Sequence, residues 1–325
     1  MHHASATRFT FTLSILLIVF CLAIAPAEAQ NLFVANRFGN TIREFSASGV
    51  DLGDFATTGL NGPTGLAFDK KGNLYVSNII GNTVRKFSPT GEDLGDFATT
   101  GLSAPRGIAF DKGGNLYVAN TMEESGFGWI RKFSPAGEDL GNFATTGLNI
   151  PRGIAFDKKG NLYAANLGDN TIRVFSRSGE DLGYFATTGI VGPALIAFDR
   201  RGNLYVTNMP INAIREFSRD GVDLGDFATT GLSAPAGLAF DKKKNLYVSN
   251  LSDNTIRVFS RSGEDLGYFA TTGMIGPLGL AFSPESEDED DSEDGGDDGP
   301  MAQGVSAEPE LGSFARVYIP YDSAG

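Results

Sequence analysis

Cysteine and histidine are nearly absent from this chain of 325 residues, which has one cysteine, Cys21, and two histidines, His2 and His3. All three lie in the first 29 residues, which the sequence predicts to be removed as a leader. The remaining chain then lacks the residue types that form disulfides, zinc sites and catalytic centres based on histidine or cysteine. We therefore assign no catalytic residue and no metal ligand from the sequence.

Long apolar runs are also missing, except for one at the start of the chain. Arg8 precedes an apolar segment over residues 9–25, and Pro26-Ala27-Glu28-Ala29 follows it. A basic residue, a short apolar stretch and an Ala-x-Ala exit predict a secretory signal peptide over residues 1–29. A membrane anchor is the alternative, because a run of about 17 residues reaches the lower limit for a spanning helix. We expect cleavage, and hence a secreted or periplasmic protein with no membrane contact afterwards.

Negative charge is concentrated near the end of the chain. The formal net charge is −13, and the segment 283–300 holds ten acidic side chains and no basic one, which leaves the preceding part close to neutral. We predict an acidic disordered linker over residues 284–300 and a disordered tail over residues 301–325. The segment 290–295 matches the first half of a calcium loop, but Met301 stands where such a loop has its bidentate Glu. Calcium is therefore kept only as an alternative to having no cofactor.

A six-residue motif, N-L-[FY]-[VA]-x-N, recurs six times. Its copies begin at Asn31, Asn73, Asn115, Asn161, Asn203 and Asn245, with spacings of 42, 42, 46, 42 and 42 residues. Each unit contains four short runs rich in Val, Ile, Leu, Phe and Tyr, separated by Gly, Pro, Asn and Asp, which is the pattern of strands and tight turns. Four antiparallel strands per repeat of this length predict the blades of a β-propeller.

The phase of the repeats predicts how the ring closes. The chain enters the repeats at the second run of a unit and leaves them at the first run, Gly279–Phe282. The last copy thus supplies the strand that the first copy lacks, and this pairing leaves no open edge on the ring. We predict an all-β, six-bladed propeller over residues 30–283, in which the terminal strands share one blade.

The repeat resembles a known family. Residues 72–91 read G-N-L-Y-V-S-N-I-I-G-N-T-V-R-K-F-S-P-T-G, which resembles the NHL repeat, and the chain is similar, more loosely, to the SMP-30/gluconolactonase group of six-bladed propellers. The resemblance extends over residues 31–282 and implies that the G-L-A-F-D run is the innermost strand. We label the strands of a blade a to d from the channel outwards. The b–c and d–a loops then form one face, the upper face, and the a–b and c–d turns form the lower face.

The upper loops carry few charges, so the positions at which the copies differ are informative. In the P-x-G motif, x is Thr64, Arg106, Arg152, Ala194, Ala236 and Leu278. Arg106 and Arg152 belong to neighbouring blades, and two guanidinium groups at the channel mouth could bind a carboxylate or a phosphate. The alternative is that each is a surface arginine paired with a carbonyl.

The third copy is four residues longer than the others, and its extra residues fall in the upper segment Thr121–Trp129. This segment contains Phe127 and the only tryptophan, Trp129, together with Glu123 and Glu124. An aromatic, acidic loop above a channel mouth predicts ligand contacts by these four side chains. A surface insertion without a role is the alternative.

The residues that recur in every copy are predicted to be structural. The asparagine that ends the motif recurs as Asn36, Asn78, Asn120, Asn166, Asn208 and Asn250, which suggests turn chemistry. The glycines of the F-D-x-x-G turns, Gly72, Gly114, Gly160 and Gly202, are expected to have positive φ. Lys244 takes the same place in the fifth copy and predicts a mildly strained turn.

The lower face is predicted to have a ring of basic residues around the channel and acidic residues outside it. The basic ring comprises Lys70, Lys71, Lys112, Lys158, Lys159, Arg200, Arg201, Lys242, Lys243 and Lys244. The acidic pairs in the outer turns are Glu92-Asp93, Glu138-Asp139, Glu180-Asp181 and Glu264-Asp265.

The sequence favours a binding or scaffold module over an enzyme. The resemblance to gluconolactonases implies a divalent cation held by Glu, Asn and Asp, but here the inner strands carry no acid and P-x-G never carries Asn. Near-identical blades also give little of the asymmetry that a catalytic centre needs. A neutral body argues against nucleic-acid binding. We expect a secreted monomer that binds a protein, a small molecule or a carbohydrate on its b–c/d–a loop face. The alternative is an SMP-30/gluconolactonase-like metal-dependent hydrolase.

Overall fold

The computed structural model describes residues 30–122 and 124–284, which form six sheets of four antiparallel strands. The predicted signal peptide, Glu123, the acidic linker from residue 285 onward, the calcium-like segment and the tail lie outside the described residues. Within the described part, no helix is long and apolar enough to cross a membrane.

The strands of blades 1 to 3 are given in the order a to d. Blade 1 contains β24 (Pro277–Phe282), β1 (Leu32–Asn36), β2 (Thr41–Phe45) and β3 (Asp51–Ala56). Blade 2 contains β4 (Pro63–Phe68), β5 (Leu74–Asn78), β6 (Thr83–Phe87) and β7 (Asp93–Ala98). Blade 3 contains β8 (Ile108–Phe110), β9 (Leu116–Met122), β10 (Phe127–Phe133) and β11 (Asp139–Ala144).

Blades 4 to 6 follow the same order. Blade 4 contains β12 (Pro151–Phe156), β13 (Leu162–Asn166), β14 (Thr171–Phe175) and β15 (Asp181–Ala186). Blade 5 contains β16 (Pro193–Phe198), β17 (Leu204–Asn208), β18 (Ala213–Phe217) and β19 (Asp223–Ala228), with a 3-10 turn at Met209–Ile211. Blade 6 contains β20 (Pro235–Phe240), β21 (Leu246–Asn250), β22 (Thr255–Phe259) and β23 (Asp265–Ala270).

The two ends of the repeat region meet in blade 1. Strand β24 pairs antiparallel with β1, with Leu32 opposite Phe282 and Val34 opposite Leu280. It also contacts the a strands of both neighbouring blades, β20 and β4. The predicted six-bladed, all-β propeller with a shared terminal blade is therefore confirmed.

The hydrophobic core is divided into six parts, one between each pair of neighbouring blades. The part between blades 6 and 1 brings Ile256 and Met274 against Leu32 and Val34. Each blade also buries one phenylalanine of strand c almost completely; these are Phe45, Phe87, Phe133, Phe175, Phe217 and Phe259. Because no blade buries its faces alone, the ring must be complete for the core to be complete.

The recurrent asparagines fasten the loops of the upper face. Asn78 accepts a hydrogen bond from the backbone N–H of Asn61 and donates one to the carbonyl of Gly59, at 3.0 Å each. The predicted structural role is right, but these partners lie in the preceding d–a loop rather than in a local turn. A second asparagine, Asn40, has a φ of 53° and accepts a 2.7 Å hydrogen bond from the N–H of Gly62, which joins blade 1 to blade 2.

Closure completes the ring, but each sheet still has two edges, strand a at the channel and strand d on the outside, and strand d remains open. In blade 1 this strand contains a bulge near Gly53, which has a φ of 107°, and the N–H of Gly53 donates to the carboxylate of Asp51. A positive φ at this place favours glycine, and the bulge interrupts the regular edge. The same D-L-G sequence begins strand d in all six blades, so each exposed edge has a feature that disfavours edge-to-edge pairing.

The a–b turn of blade 6 is strained, as the sequence predicts. Lys244 has a φ of 70°, in the region where Gly72, Gly114, Gly160 and Gly202 have φ values of 78°, 81°, 84° and 91°. Left-handed backbone costs a non-glycine residue about 1–2 kcal/mol, and glycine loses more chain entropy on folding, so the two effects partly cancel. We expect Lys244→Gly to raise the free energy of unfolding by about 0.5–1 kcal/mol in urea titrations. Gly202→Lys should lower the free energy of unfolding. A decrease for Lys244→Gly together with an increase for Gly202→Lys would contradict this account.

Candidate functional site

The six P-x-G motifs converge on the upper mouth of the central channel. The x residues of all six line one cavity of about 200 Å³. The close approach of the a strands depends on the glycine of the motif, since a Cβ at Gly107 would lie 2.5 Å from the carbonyl oxygen of Arg152. A 2.8 Å hydrogen bond from the N–H of Gly107 to this carbonyl connects blades 3 and 4 directly.

Arg106 and Arg152 both line this cavity, as the sequence analysis places them. Arg106 is not the surface residue of the alternative interpretation, because only 8% of it is exposed. Its Nε donates to Oγ1 of Thr121 at 3.4 Å, and its backbone N–H donates to the carbonyl of Ala119 at 2.9 Å. Buried guanidinium groups are retained where acceptors surround them, and these two contacts supply acceptors from the protein itself. Binding of an anion by Arg106 remains a prediction.

A third arginine at the mouth was missed by the sequence analysis. Arg37, in the b–c loop of blade 1, lines the same cavity, and its guanidinium carbon lies 5.5 Å from the ring centroid of Phe38. Comparison of the six copies could have identified Arg37, because it directly follows the recurrent asparagine, where the other five copies have uncharged residues. Those residues are Ile79, Thr121, Leu167, Met209 and Leu251.

Much of the remaining lining of the cavity is apolar. Blade 5 contributes Leu195 and Met209, blade 6 contributes Leu251, and β24 contributes Leu278. Leu195 stands where the other five copies have the glycine of P-x-G, so the apolar wall is itself a departure from the repeat. The mouth is therefore asymmetric, with cations from blades 1, 3 and 4 and alkyl groups mainly from blades 5 and 6.

The residues of the mouth do not fit the divalent cation that a gluconolactonase-like site implies. The described lining residues include three guanidinium groups and no carboxylate. Nor do the described residues hold any cluster of three or more His, Cys, Asp or Glu side chains that could bind a metal. Oxygen ligands are what Ca²⁺ and Mg²⁺ require, so we derive no catalytic step through a metal at this mouth.

The insertion of blade 3 lengthens a hairpin rather than forming a loop. Strands β9 and β10 have seven residues each, where the b and c strands of the other blades have five. Met122 pairs with Phe127, and Thr121 pairs with Gly128, so most of the predicted flexible loop is β-ladder. The extra residues therefore prolong an existing pairing.

Trp129 has a structural role in this hairpin. Its Nε1 donates to the carbonyl of Gly101 at 3.1 Å. In the other blades, the corresponding carbonyl accepts from the recurrent asparagine, whereas Asn120 here donates to Val118. Phe127 is 49% exposed, and its ring centroid lies 6.0 Å from that of Trp129.

The predicted contact residues thus fall into two groups. Arg106 and Arg152 share the mouth cavity, but Phe127, Trp129 and Glu124 are not among the described residues that line it. Phe127 and Glu124 are exposed at the tip of the blade 3 hairpin, and Glu123 lies outside the described residues. Ligand contact by these four side chains remains a prediction.

Large apolar side chains are exposed on the upper face around the mouth, a feature that the sequence analysis did not use. They are Phe38, Ile80, Met122, Phe127, Val191, Ile211 and Ile275, which are between 39% and 65% exposed. A second exposed set lies on the outer strands d and includes Leu52 and Leu94. Phe38 and Ile275 are adjacent, because the N–H of Phe38 donates to the carbonyl of Ile275. In the described turns of the lower face, the exposed large apolar residues are Val50 and Val222. The two faces therefore differ in character.

The lower face carries charges of both signs. Its turns carry the predicted ring of lysines and arginines, but each inner turn also contains an aspartate that caps it, as Asp69 does for the N–H groups of Lys71 and Asn73. A cavity of about 420 Å³ between blades 3 and 4 is lined by Lys112, Lys158 and further residues of both signs. These aspartates thus offset part of the positive charge of the predicted basic ring.

The aspartates that begin strand d form ion pairs within their own blades. Arg43 Nε and Asp51 Oδ1 are 2.7 Å apart, and the second guanidinium contact is 2.8 Å. The equivalent pairs are Arg85–Asp93, Arg131–Asp139, Arg173–Asp181, Arg215–Asp223 and Arg257–Asp265. The aspartates of the predicted acidic pairs are thus bound by arginines of strand c in their own blades.

These pairs predict a decrease in stability in acid. Hydrogen bonds from the arginines lower the pKa of all six aspartates below the usual value. Their stabilisation is complete above the unfolded pKa of about 4 and is lost as the pH falls through the lower pKa of the folded state. We expect the urea midpoint to fall steeply below about pH 4, and Asp181→Asn to make this dependence shallower. A midpoint that stays constant between pH 5 and pH 2.5 would contradict the prediction.

Comparison with known proteins supports the fold and goes no further. No known family matches the sequence, and no curated protein does. A chain in the crystal structure of a nidogen/laminin complex is similar, with a TM-score of 0.69 and 19% identity, and the match covers 78% of this chain and 98% of that one. A protein of unknown function from Bacteroides caccae is similar with a TM-score of 0.64 and 16% identity, over 79% of this chain and 100% of that one. The resemblance to NHL repeats rests on the motifs given above. The chain is thus a six-bladed β-propeller in which blade 1 contains a strand from each end of the repeat region.

Proposed function

We propose that this protein is an exported binding module and that a partner protein docks on its upper face. The observation that carries the proposal is the set of exposed large apolar side chains on the upper loops, which lies on the same face as a mouth with three arginines. Surface patches of this kind in soluble proteins mark interaction sites. The predicted signal peptide over residues 1–29 supports export, and the similar chain in the nidogen/laminin complex was crystallised in a protein complex.

The chemistry of the face indicates the kind of partner. Aromatic and aliphatic side chains such as Phe38, Ile80 and Ile275 surround a centre that contains three arginines. Interface cores are enriched in aromatic residues, methionine and arginine, and are depleted in lysine and acids. We therefore expect a partner with an apolar contact surface and an acidic group near its centre.

The proposal is tested by matched substitutions. The purified protein is immobilised and exposed to periplasmic extract or culture medium, and the protein that it retains is identified, purified and measured in a direct binding assay. Phe38→Ser and Ile80→Ser should each weaken binding about 10- to 30-fold, as expected for residues near the centre of an interface. Leu94→Ser, on strand d of blade 2 and 48% exposed, is the control and should leave binding unchanged.

Two results would contradict docking on the upper face. One is a partner that the Phe38→Ser and Ile80→Ser variants bind as tightly as the unchanged protein does. The other is retention of no protein from either fraction above a blank column. Circular dichroism of each variant confirms that a change in binding does not come from unfolding.

A further inference from the structure

We propose that the mouth cavity binds a monocarboxylate with a compact apolar body. The inference rests on the proposed function, because the cavity opens at the centre of the upper face, and it names the chemistry recognised there. It follows from the three guanidinium groups and the alkyl groups that line the cavity, and from its volume.

The cationic side fits a planar anion. Arg37, Arg106 and Arg152 reach the cavity from three different blades. A guanidinium group has five N–H donors in a rigid fork, so contacts with the protein, such as that of Arg106 with Thr121, are compatible with donation to a ligand. Arginine binds carboxylates through two parallel hydrogen bonds, which fixes the orientation of the anion.

The apolar side restricts the rest of the ligand. Leu195, Met209, Leu251 and Leu278 offer no hydrogen-bonding side chain, and Ala194 and Ala236 complete this wall. A phosphate or a sugar would place polar oxygens against these alkyl groups without compensation, which is unfavourable. A hydrocarbon group would instead be buried there with a gain in free energy.

The volume sets the size of the ligand. The cavity measures about 200 Å³, and an engineered cavity of about 150 Å³ in another protein holds one benzene molecule. A benzene-sized body with one carboxylate therefore fits. Two sources could present this group: a free small acid, or the chain-terminal carboxylate of a docked partner that ends in an apolar residue.

The inference is tested by calorimetric titration of the full chain with benzoate and hexanoate, and with benzamide as the neutral match of benzoate. We expect benzoate to bind with a Kd between about 10 µM and 1 mM, given its nine non-hydrogen atoms. Benzamide should bind at least tenfold more weakly. A peptide that ends in a free Leu carboxylate is compared with the same peptide ending in an amide. Binding of the free-carboxylate peptide, without binding of the small acids, would identify the chain terminus of a partner as the source.

Substitutions separate the two sides of the cavity. Arg37→Gln and Arg152→Gln should each weaken binding of the acid at least tenfold, and Arg177→Gln on the lower face is the matched control. Leu251→Ser should weaken the binding of hexanoate more than the binding of acetate. Equal binding of benzoate and benzamide, no binding of any of the acids at 10 mM, or unchanged affinity in both arginine variants would overturn the inference. Because these titrations use no partner protein, their failure leaves the docking experiment with Phe38→Ser and Ile80→Ser to be judged separately.

Discussion

Ending the chain after Gly276 is expected to abolish folding, because this change removes β24 and nothing else of the ring. Strand β24 closes blade 1 against β1 and brings Leu280 into the core part that joins blades 6 and 1. Its loss would expose Leu32 and Val34, which are completely buried, and each such side chain contributes about 1.5–3 kcal/mol. With the lost strand pairing, the total approaches the 5–15 kcal/mol by which domains are stable.

The matched control ends the chain after Pro284 and keeps all 24 described strands. We expect this shorter protein to unfold cooperatively, with a melting temperature within about 2 °C of that of the full chain. Circular dichroism measures the transition. The protein that ends at Gly276 should lack a cooperative transition and aggregate, since its inner edge is open. A cooperative transition at an unchanged temperature in the Gly276 variant would show that closure does not support the fold.

Replacing Phe175 by alanine is expected to cost about 3–5 kcal/mol of unfolding free energy. Phe175 is completely buried between blades 3 and 4, where it packs with Tyr117, Ala164 and Leu162. The substitution removes the ring and leaves a cavity that the surrounding strands cannot fill, because they are fixed by pairing on both sides. Urea titration, monitored by tryptophan fluorescence, measures the decrease in unfolding free energy.

The control for this variant is Leu182→Ala, on strand d of the same blade, where the leucine is 53% exposed. Surface substitutions of this kind change stability by about 0.5 kcal/mol or less. Since the ring is closed, the Phe175 variant should still unfold in one transition that is shifted as a whole. Separate unfolding of blade 4 would contradict the account. So would a decrease in unfolding free energy as small as that of the Leu182→Ala control.

Much of the fold could be predicted because the repeats fix it. The spacing of Asn31, Asn73 and their equivalents gives the number of blades, and the phase of the first and last copies gives the closure. The strain at Lys244 followed from comparing one copy with the others. Such comparisons succeed because equivalent positions in the six blades have nearly the same surroundings.

The site could be predicted only in part, because it depends on where loops from different blades meet. Arg106 and Arg152 were found through the P-x-G position, but Arg37 comes from another loop and reaches the same cavity across the channel. Trp129 illustrates the opposite case, since its polar nitrogen replaces an asparagine in a structural hydrogen bond. Its rarity in the sequence suggested a ligand contact, which remains a prediction, and gave no sign of its structural hydrogen bond.

The closure of the ring can be tested most directly with a disulfide between its two ends. The N–H of Ser283 donates to the carbonyl of Asn31 at 3.0 Å, and directly opposed residues of antiparallel strands have Cα separations that suit a disulfide. The measurement compares the melting temperature of the Asn31→Cys/Ser283→Cys variant, made with Cys21→Ser, before and after reduction. We expect one disulfide that forms in air and raises stability by up to about 5 kcal/mol, because it closes a loop of nearly the whole propeller. Failure of this pair to form a disulfide, or equal formation by the control pair Asn31→Cys/Lys159→Cys, would show that the two ends do not share a blade.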